Sequence, residues 1–271
     1  MADLKDKRLF LMDMDGTIYL DETLFDGTMD FLKYVKSIGG RYLFLTNNSS
    51  RGTDAYVAKM KRLGIDAYPE DFLTSADATI DFLKKKYTEK TGYYVCGTAS
   101  LKAQLGNAGL KVLECDDTGI LQNVSDVTVL LGYDTELTYE KLCNCVKLLN
   151  RGCDYIATHP DLVCPVSYGS APDCGSVIEM LYTCTGRRPV VIGKPQPQMA
   201  LSAMEKTGFL PEETVLIGDR LYTDIACGVN AGIDTVFVLS GEGVIDDIEK
   251  YNIHPTFIRK NIREVTDEIK Q

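Results

Sequence analysis

The sequence predicts an α/β fold, a doubly wound parallel sheet with a second α/β domain inserted into it. Three observations predict this. Short continuous apolar runs alternate with stretches of helical periodicity, the pattern of strands buried on both faces by crossover helices. Several of these runs stop abruptly at polar or acidic clusters, and in a parallel sheet such carboxyl ends share one rim. The middle of the chain carries an alternation of its own, long enough for a separate domain. The expected division is a core domain over 1–80, an inserted domain over 81–188 and the rest of the core over 189–271.

Taken in order, Leu9 to Met12 reads as a buried strand delivering Asp13, Met14, Asp15, Gly16 and Thr17 at its carboxyl end. Asp21 and Glu22, between two short apolar runs, predict a small hairpin beside those carboxylates. A helical stripe from Met29 to Ile38 stops at Gly39 and Gly40, and Tyr42 to Leu45 is a second strand ending in the polar cluster Thr46 to Ser50. A helix follows from Thr53 to its stop at Gly64, then a short strand at Phe72 to Thr74 and a helix from Ala76 to Tyr87. From about Thr91 to Arg188 the inserted region has strand-like segments at Tyr93, Val127 and Tyr155, with helical ones at Ser100, Tyr139 and Ser176. The core pattern is expected to resume with the strand Val190 to Ile192, then Gly193, Lys194 and Pro195, and a helix closed by Gly208. Val215 to Ile217 ends in Gly218 and Asp219, Thr223 is expected to cap a helix through Val229, and Thr235 to Leu239 is a further strand before a terminal helix.

Composition narrows the function. With 271 residues, 45% hydrophobic and 25% charged, the chain has the means for a sizeable core. A formal charge of -10 argues against a nucleic-acid binder or a polybasic membrane-surface protein. No stretch approaches membrane-spanning length, and the first residues lack the apolar run of a signal peptide, so a cytoplasmic protein is expected. Nine cysteines, an odd number with no C-x-x-C pair, are read as free thiols.

Separate strand ends supply Asp13 and Asp15, Thr46, Lys194, and Asp219 with Asp224. Any one of them has an ordinary explanation as a turn, a cap or a solvated charge. Brought to one rim, four carboxylates and one ammonium would repel each other and an anionic ligand alike. A divalent cation resolves the conflict, and oxygen donors without histidine favour Mg2+. Thr46 and Lys194 then offer a hydrogen-bond donor and a positive charge to a phosphoryl group.

In order, D-M-D-G-T at Asp13 to Thr17, the strand end at Thr46, G-K-P at Gly193 to Pro195 and G-D-x-x-x-x-D at Gly218 to Asp224 resemble the four motifs of the haloacid dehalogenase superfamily. The insertion, with Ala157 to Asp161 and Pro172 to Ser176, is similar to the α/β cap of its nitrophenylphosphatase-like, or NagD-like, branch. The resemblance implies a Rossmann-like core and a phosphatase for a small phosphorylated metabolite. It implies Asp13 as nucleophile and Asp15 as acid and base. It further implies Mg2+ held by Asp13, Asp219 and the Asp15 carbonyl with support from Asp224, and a phosphoryl group gripped by Thr46, Asn47 and Lys194. The cap residues His159, Asp173, Cys174 and Gly175 are the expected determinants of specificity, with Asp173 read equally as the mere cap of the helix that follows it. Separately from the resemblance, a cap edge offers a surface on which a homodimer could form. His159 stands where many relatives have asparagine, and Cys174 where the loop is more often asparagine or another small residue.

Other classes fit less well. A phosphate-binding P-loop needs G-x-x-x-x-G-K-[ST], but Lys194 is followed by Pro195. The run Gly241, Glu242, Gly243 lacks the third glycine of a dinucleotide fingerprint and is read as a turn. His159 and His254 are the chain's histidines, and neither lies in a nucleophile motif. A phosphotransferase or phosphomutase, or a non-catalytic phosphate-binding protein, remains as an alternative use of the same residues.

Overall fold

A computed structural model describes residues 3–87, 92–114, 124–166 and 168–271, so Thr91, near which the inserted region's own strand and helix alternation is read to begin, and the thiol of Cys115 lie outside the described residues. The chain divides into two compact units. The first comprises Met1–Thr46, Thr53–Leu73 and Lys194–Gln271, and the second Asn47–Gly52 and Thr74–Gly193.

In the first unit, strands numbered in chain order, β1 (Leu9–Met12), β4 (Arg41–Thr46), β5 (Phe72–Thr74), β13 (Thr214–Gly218), β14 (Asp234–Val238) and β15 (Phe257–Arg259), form one sheet in the order β15-β14-β13-β1-β4-β5. β1 runs parallel to both its neighbours, with Met12 opposite Ile217 on one side and Phe44 on the other. All four β1 side chains are buried, as expected for a strand covered on both faces. The core packs Phe10, Met12, Phe31 and Phe44 together, with the Phe10 and Phe31 rings edge to face at 5.2 Å. Around it lie α1 (Thr28–Ser37), α2 (Thr53–Arg62), α7 (Gln198–Thr207), α8 (Ala226–Ala231), α9 (Asp247–Tyr251) and α10 (Ile262–Lys270). α10 is tied to α1 and the turn before it by Arg263, which pairs with Asp26 and Asp30. The predicted hairpin is present as β2 (Tyr19–Leu20) and β3 (Thr23–Leu24), antiparallel.

The second unit has a five-stranded sheet of its own. β6 (Gly92–Cys96), β7 (Val112–Leu113), β8 (Val127–Leu131), β9 (Asp154–Ala157) and β12 (Val190–Val191) lie in the order β12-β9-β8-β6-β7, all pairs parallel. A separate antiparallel pair, β10 (Val163–Val166) and β11 (Gly169–Pro172), precedes α6 (Cys174–Thr185). The remaining helices are α3 (Ser75–Lys86), α4 (Ala99–Asn107) and α5 (Tyr139–Asn150), the last packing Cys145 and Leu148 into the core of this unit.

Two expectations are corrected. Val190 and Val191 pair with Ile156 and Ala157 in the second unit's sheet and do not join the six-stranded one. Thr223 caps no helix: Leu221–Ile225 forms a π-helical turn that runs straight into α8, and Thr223 is buried inside it. Among the described residues the cysteines are free thiols, and no helix is long and apolar enough to cross a membrane.

Candidate active site

The strand order of the first unit reverses at β1. From there the chain moves to β4 and β5 on one side and, after the long insertion, to β13, β14 and β15 on the other. The carboxyl ends of β1 and β13 therefore flank the position where doubly wound sheets bind ligands. The register fixes what lies there. Met12 is opposite both Ile217 and Phe44, so Asp219 and Thr46 each lie two residues beyond that level.

Asp13 continues the ladder through its amide, which donates to the Ile217 carbonyl at 2.9 Å. The chain then leaves the strand: Thr17 and Ile18 donate their amides to the Met14 carbonyl, and Gly16 has φ +86°, a conformation that L side chains rarely adopt. A Cβ on Gly16 would lie 2.5 Å from Asp219 Oδ2. The turn separates the two aspartates that strand alternation would have left side by side. Asp13 turns inward, while the Asp15 side chain is exposed and stands outside the acidic cluster.

Lys194 Nζ is buried and donates to Asp13 Oδ1 and to Asp224 Oδ1, each at 2.6 Å. The other Asp224 oxygen accepts the Arg220 amide at 3.0 Å. Asp219 accepts from Thr17 Oγ1 at 3.3 Å and from the Glu242 amide at 2.8 Å. Burial pushes the Asp13 carboxyl up to about 8, with Lys194 opposing and Asp224 and Asp219 adding to the rise. Burial likewise raises Asp219 to about 6, with Asp224 adding to the effect. Lys194 is held above the usual lysine range, because Asp13 and Asp224 outweigh the cost of burying its charge. The Asp15 carboxyl is also raised, by partial desolvation, with Lys59 and Arg220 pulling it back.

One ammonium thus faces three carboxylates. Oxygens of Asp13, Asp219 and Asp224 all lie within 4.8 Å of one another, a donor set of hard oxygens without nitrogen or sulfur. These residues fit a divalent cation on two grounds. Its charge would offset the burial and the mutual repulsion that drive the Asp13 and Asp219 carboxyls upward, and glycine at position 16 keeps a side chain from pressing on the Asp219 carboxylate.

The other predicted residues belong to the second unit. Asn47 is buried and donates Nδ2 to both Asp161 oxygens at 3.1 Å. His159 is fully buried between two carboxylates, Nδ1 lying 3.4 Å from Asp161 and Nε2 3.6 Å from Asp173. Asp173 caps α6, accepting from the Cys174 amide at 2.5 Å. Cys174 is fully buried with its thiol pushed up by burial, and it sits 3.8 Å from the Leu131 carbonyl. Gly175 donates to the Asp161 carbonyl, and a Cβ there would come within 2.1 Å of the Pro160 carbonyl oxygen. The structure therefore brings Asp13, Lys194, Asp219 and Asp224 together, and separately joins Asn47 to His159, Asp161 and Asp173. Sequence reading missed Asp161 as a partner of Asn47, 114 positions away, and Thr17 and Glu242 as supports of Asp219. The T of D-x-D-G-T was the available signal for Thr17.

A family model for haloacid dehalogenase-like hydrolases matches residues 10–111, and a second, HAD-hydrolase-like model matches 191–265. An acid sugar phosphatase of Staphylococcus aureus (strain USA300) is 32% identical over 269 residues, 99% of this chain and 100% of the relative. A 4-nitrophenylphosphatase from Thermotoga maritima superposes with a TM-score of 0.89 at 38% identity, covering 97% of this chain and 98% of its own. A protein described as NagD gives 0.86 at 35% identity, over 98% and 99%.

Proposed function

The chain belongs to the haloacid dehalogenase-like hydrolases, in their NagD and 4-nitrophenylphosphatase branch, and from that premise we propose that it hydrolyses small phosphate monoesters with Mg2+, through an aspartyl-phosphate on Asp13. It is a phosphatase of small phosphate esters; sugar phosphates are the substrate class the Staphylococcus relative recommends. The observation that carries the mechanism is the division of labour between the two aspartates. Asp13 is bonded to Lys194 inside the acidic cluster, while the Asp15 carboxyl stands apart, exposed and raised.

An Asp13 oxygen attacks phosphorus as the bond to the leaving oxygen breaks, and that oxygen takes a proton from Asp15. A raised carboxyl suits this step, because an acid must still carry its proton near the working pH. Asp15, now ionised, then removes a proton from the water that attacks phosphorus, freeing Asp13 and inorganic phosphate. Lys194 opposes the burial that raises Asp13, and with the cation's charge beside it Asp13 would be ionised; Lys194 also offers its charge to the phosphoryl oxygens, with Thr46 as a further donor at the rim. Asp13, Asp219 and the Asp15 carbonyl would hold Mg2+, with Asp224 behind them, and when bound the cation supplies positive charge against the anionic substrate. In the second unit, buried His159 and Cys174 influence specificity by holding the loop that carries Asp173 and Gly175.

The test is hydrolysis of p-nitrophenyl phosphate by protein stripped with EDTA and reloaded with Mg2+. Activity is expected only after reloading, to vanish in Asp13→Asn and to fall at least ~100-fold in Asp15→Asn. Wild-type turnover in Asp13→Asn would sink the mechanism.

A further inference from the structure

The Gly241, Glu242, Gly243 run, which the sequence offers only as a turn, closes around Asp219. The Glu242 amide donates to Asp219 Oδ2 at 2.8 Å, and the Gly243 amide donates to the Asp219 carbonyl at 3.1 Å. Ser240 Oγ reaches the Gly16 carbonyl at 2.7 Å, tying the same loop to the turn that carries Asp13 and Asp15. Neither glycine has room for a side chain: a Cβ on Gly241 would lie 2.0 Å from Asp219 Oδ2, and one on Gly243 2.3 Å from the Asp219 carbonyl oxygen. The loop thus grips Asp219 from its main chain, at side chain and backbone at once.

The Glu242 side chain closes the ring. Its carboxylate lies 2.9 Å from Arg220 Nε and accepts from the Tyr222 hydroxyl at 3.0 Å, so it is held by two residues of the turn that begins at Asp219. The Arg220 amide in turn donates to Asp224. One short ion pair therefore spans the loop that grips Asp219 and the turn that presents Asp219 and Asp224.

We infer that the Arg220–Glu242 ion pair latches the Ser240 to Gly243 loop onto Asp219, making Arg220 and Glu242 positioning residues for the divalent cation. The inference rests on Asp219 being a ligand of that cation. Physically, an ion needs its ligands fixed before it arrives, and partners that orient a ligating carboxylate set affinity almost as directly as the ligand does. Glu242 is half-exposed at its side chain, so its loss removes the latch and leaves the amide and the fold in place.

The experiment is calorimetric titration of Mg2+ into metal-free protein, with melting temperature measured on the same samples. Glu242→Ala and Arg220→Met are each expected to weaken Mg2+ binding about 10-fold, and the double variant no more than either, because both act through one contact. Glu242→Gln, which keeps the bond to Tyr222, is expected to recover part of the loss. A Mg2+ dissociation constant within about twofold of wild type in both single variants, with or without a lower melting temperature, overturns the latch. Should wild-type protein take up no Mg2+ at all, the reading of Asp219 as a metal ligand fails, and the latch fails with it.

Discussion

Replacing Lys194 with methionine is the sharpest test of how the acidic cluster is balanced. The buried ammonium makes two bonds of 2.6 Å, to Asp13 and Asp224, and Asp224 is buried as well. Each charge-assisted bond contributes about 1.5–3 kcal/mol, so the gross loss is roughly 3–6 kcal/mol, in line with the ~3–5 kcal/mol of a broken buried pair. Protonation softens this. Asp13 rises to about 8 even with the ammonium beside it, so near pH 7.5 it largely carries its proton whether or not Lys194 is present, and the bond to Asp224 is the one chiefly lost. About 2–3 kcal/mol should remain. At ~2–4 °C per kcal/mol for a chain of this size, that lowers the melting temperature of metal-free protein by roughly 4–12 °C at pH 7.5. Circular dichroism in EDTA reads it directly. Asp224→Asn should cost at least ~1 kcal/mol less in the Lys194→Met background than in wild type, since the carboxylate it removes has lost its partner. A melting temperature within about 1 °C of wild type, or additive single variants, would refute the claim that one ammonium answers both carboxylates.

Two other consequences are open to measurement. Gly16→Ala puts a Cβ 2.5 Å from Asp219 Oδ2 at φ +86°, so it should reduce Mg2+-supported turnover at least ~100-fold, and near-normal activity there would contradict the described turn. For metal-free protein, burial raises the Asp13 and Asp219 carboxyls to about 8 and about 6, against ~3.9 in an unfolded chain. The folded state then binds more protons than the unfolded one between about pH 4 and 8, so stability must fall as pH rises through that window. Saturating Mg2+ and Asp13→Asn should each flatten the slope. A metal-free melting temperature that climbs from pH 5 to pH 8 would show that other groups govern the cluster.

Much of the fold was legible because buried parallel strands write themselves as unbroken apolar runs. Leu9 to Met12, Tyr42 to Leu45 and Val215 to Ile217 all became central strands of one sheet. Such runs do not say which sheet they join, which is how Val190 and Val191 came to be expected in the wrong one. The two residues of β7 are too few to give a period, and β10 hides behind Pro165. Asp13, Lys194 and Asp219 could be found because each follows a strand or a motif glycine, and Asp224 because of its spacing from Gly218 and Asp219. The bond between Asn47 and Asp161 could not, since nothing local in either residue announces a partner so far along the chain. Strand alternation is no guide to the relative directions of Asp13 and Asp15: it holds only while the ladder lasts, and the ladder ends at the Asp13 amide.

The placement of β1 between β4 and β13 has a consequence for synthesis. During translation β1 and β4 emerge within the first 46 residues, but the other partner of β1 begins at Thr214, after the whole insertion has been made. Until then the nascent chain carries a fully apolar strand with one open edge, the kind of surface that recruits a neighbouring polypeptide. The acidic cluster is completed at the same late moment, because Asp219 and Asp224 both arrive just after β13. A chain that stops short of Thr214 therefore lacks Asp219 and Asp224 and leaves that edge of β1 without its partner.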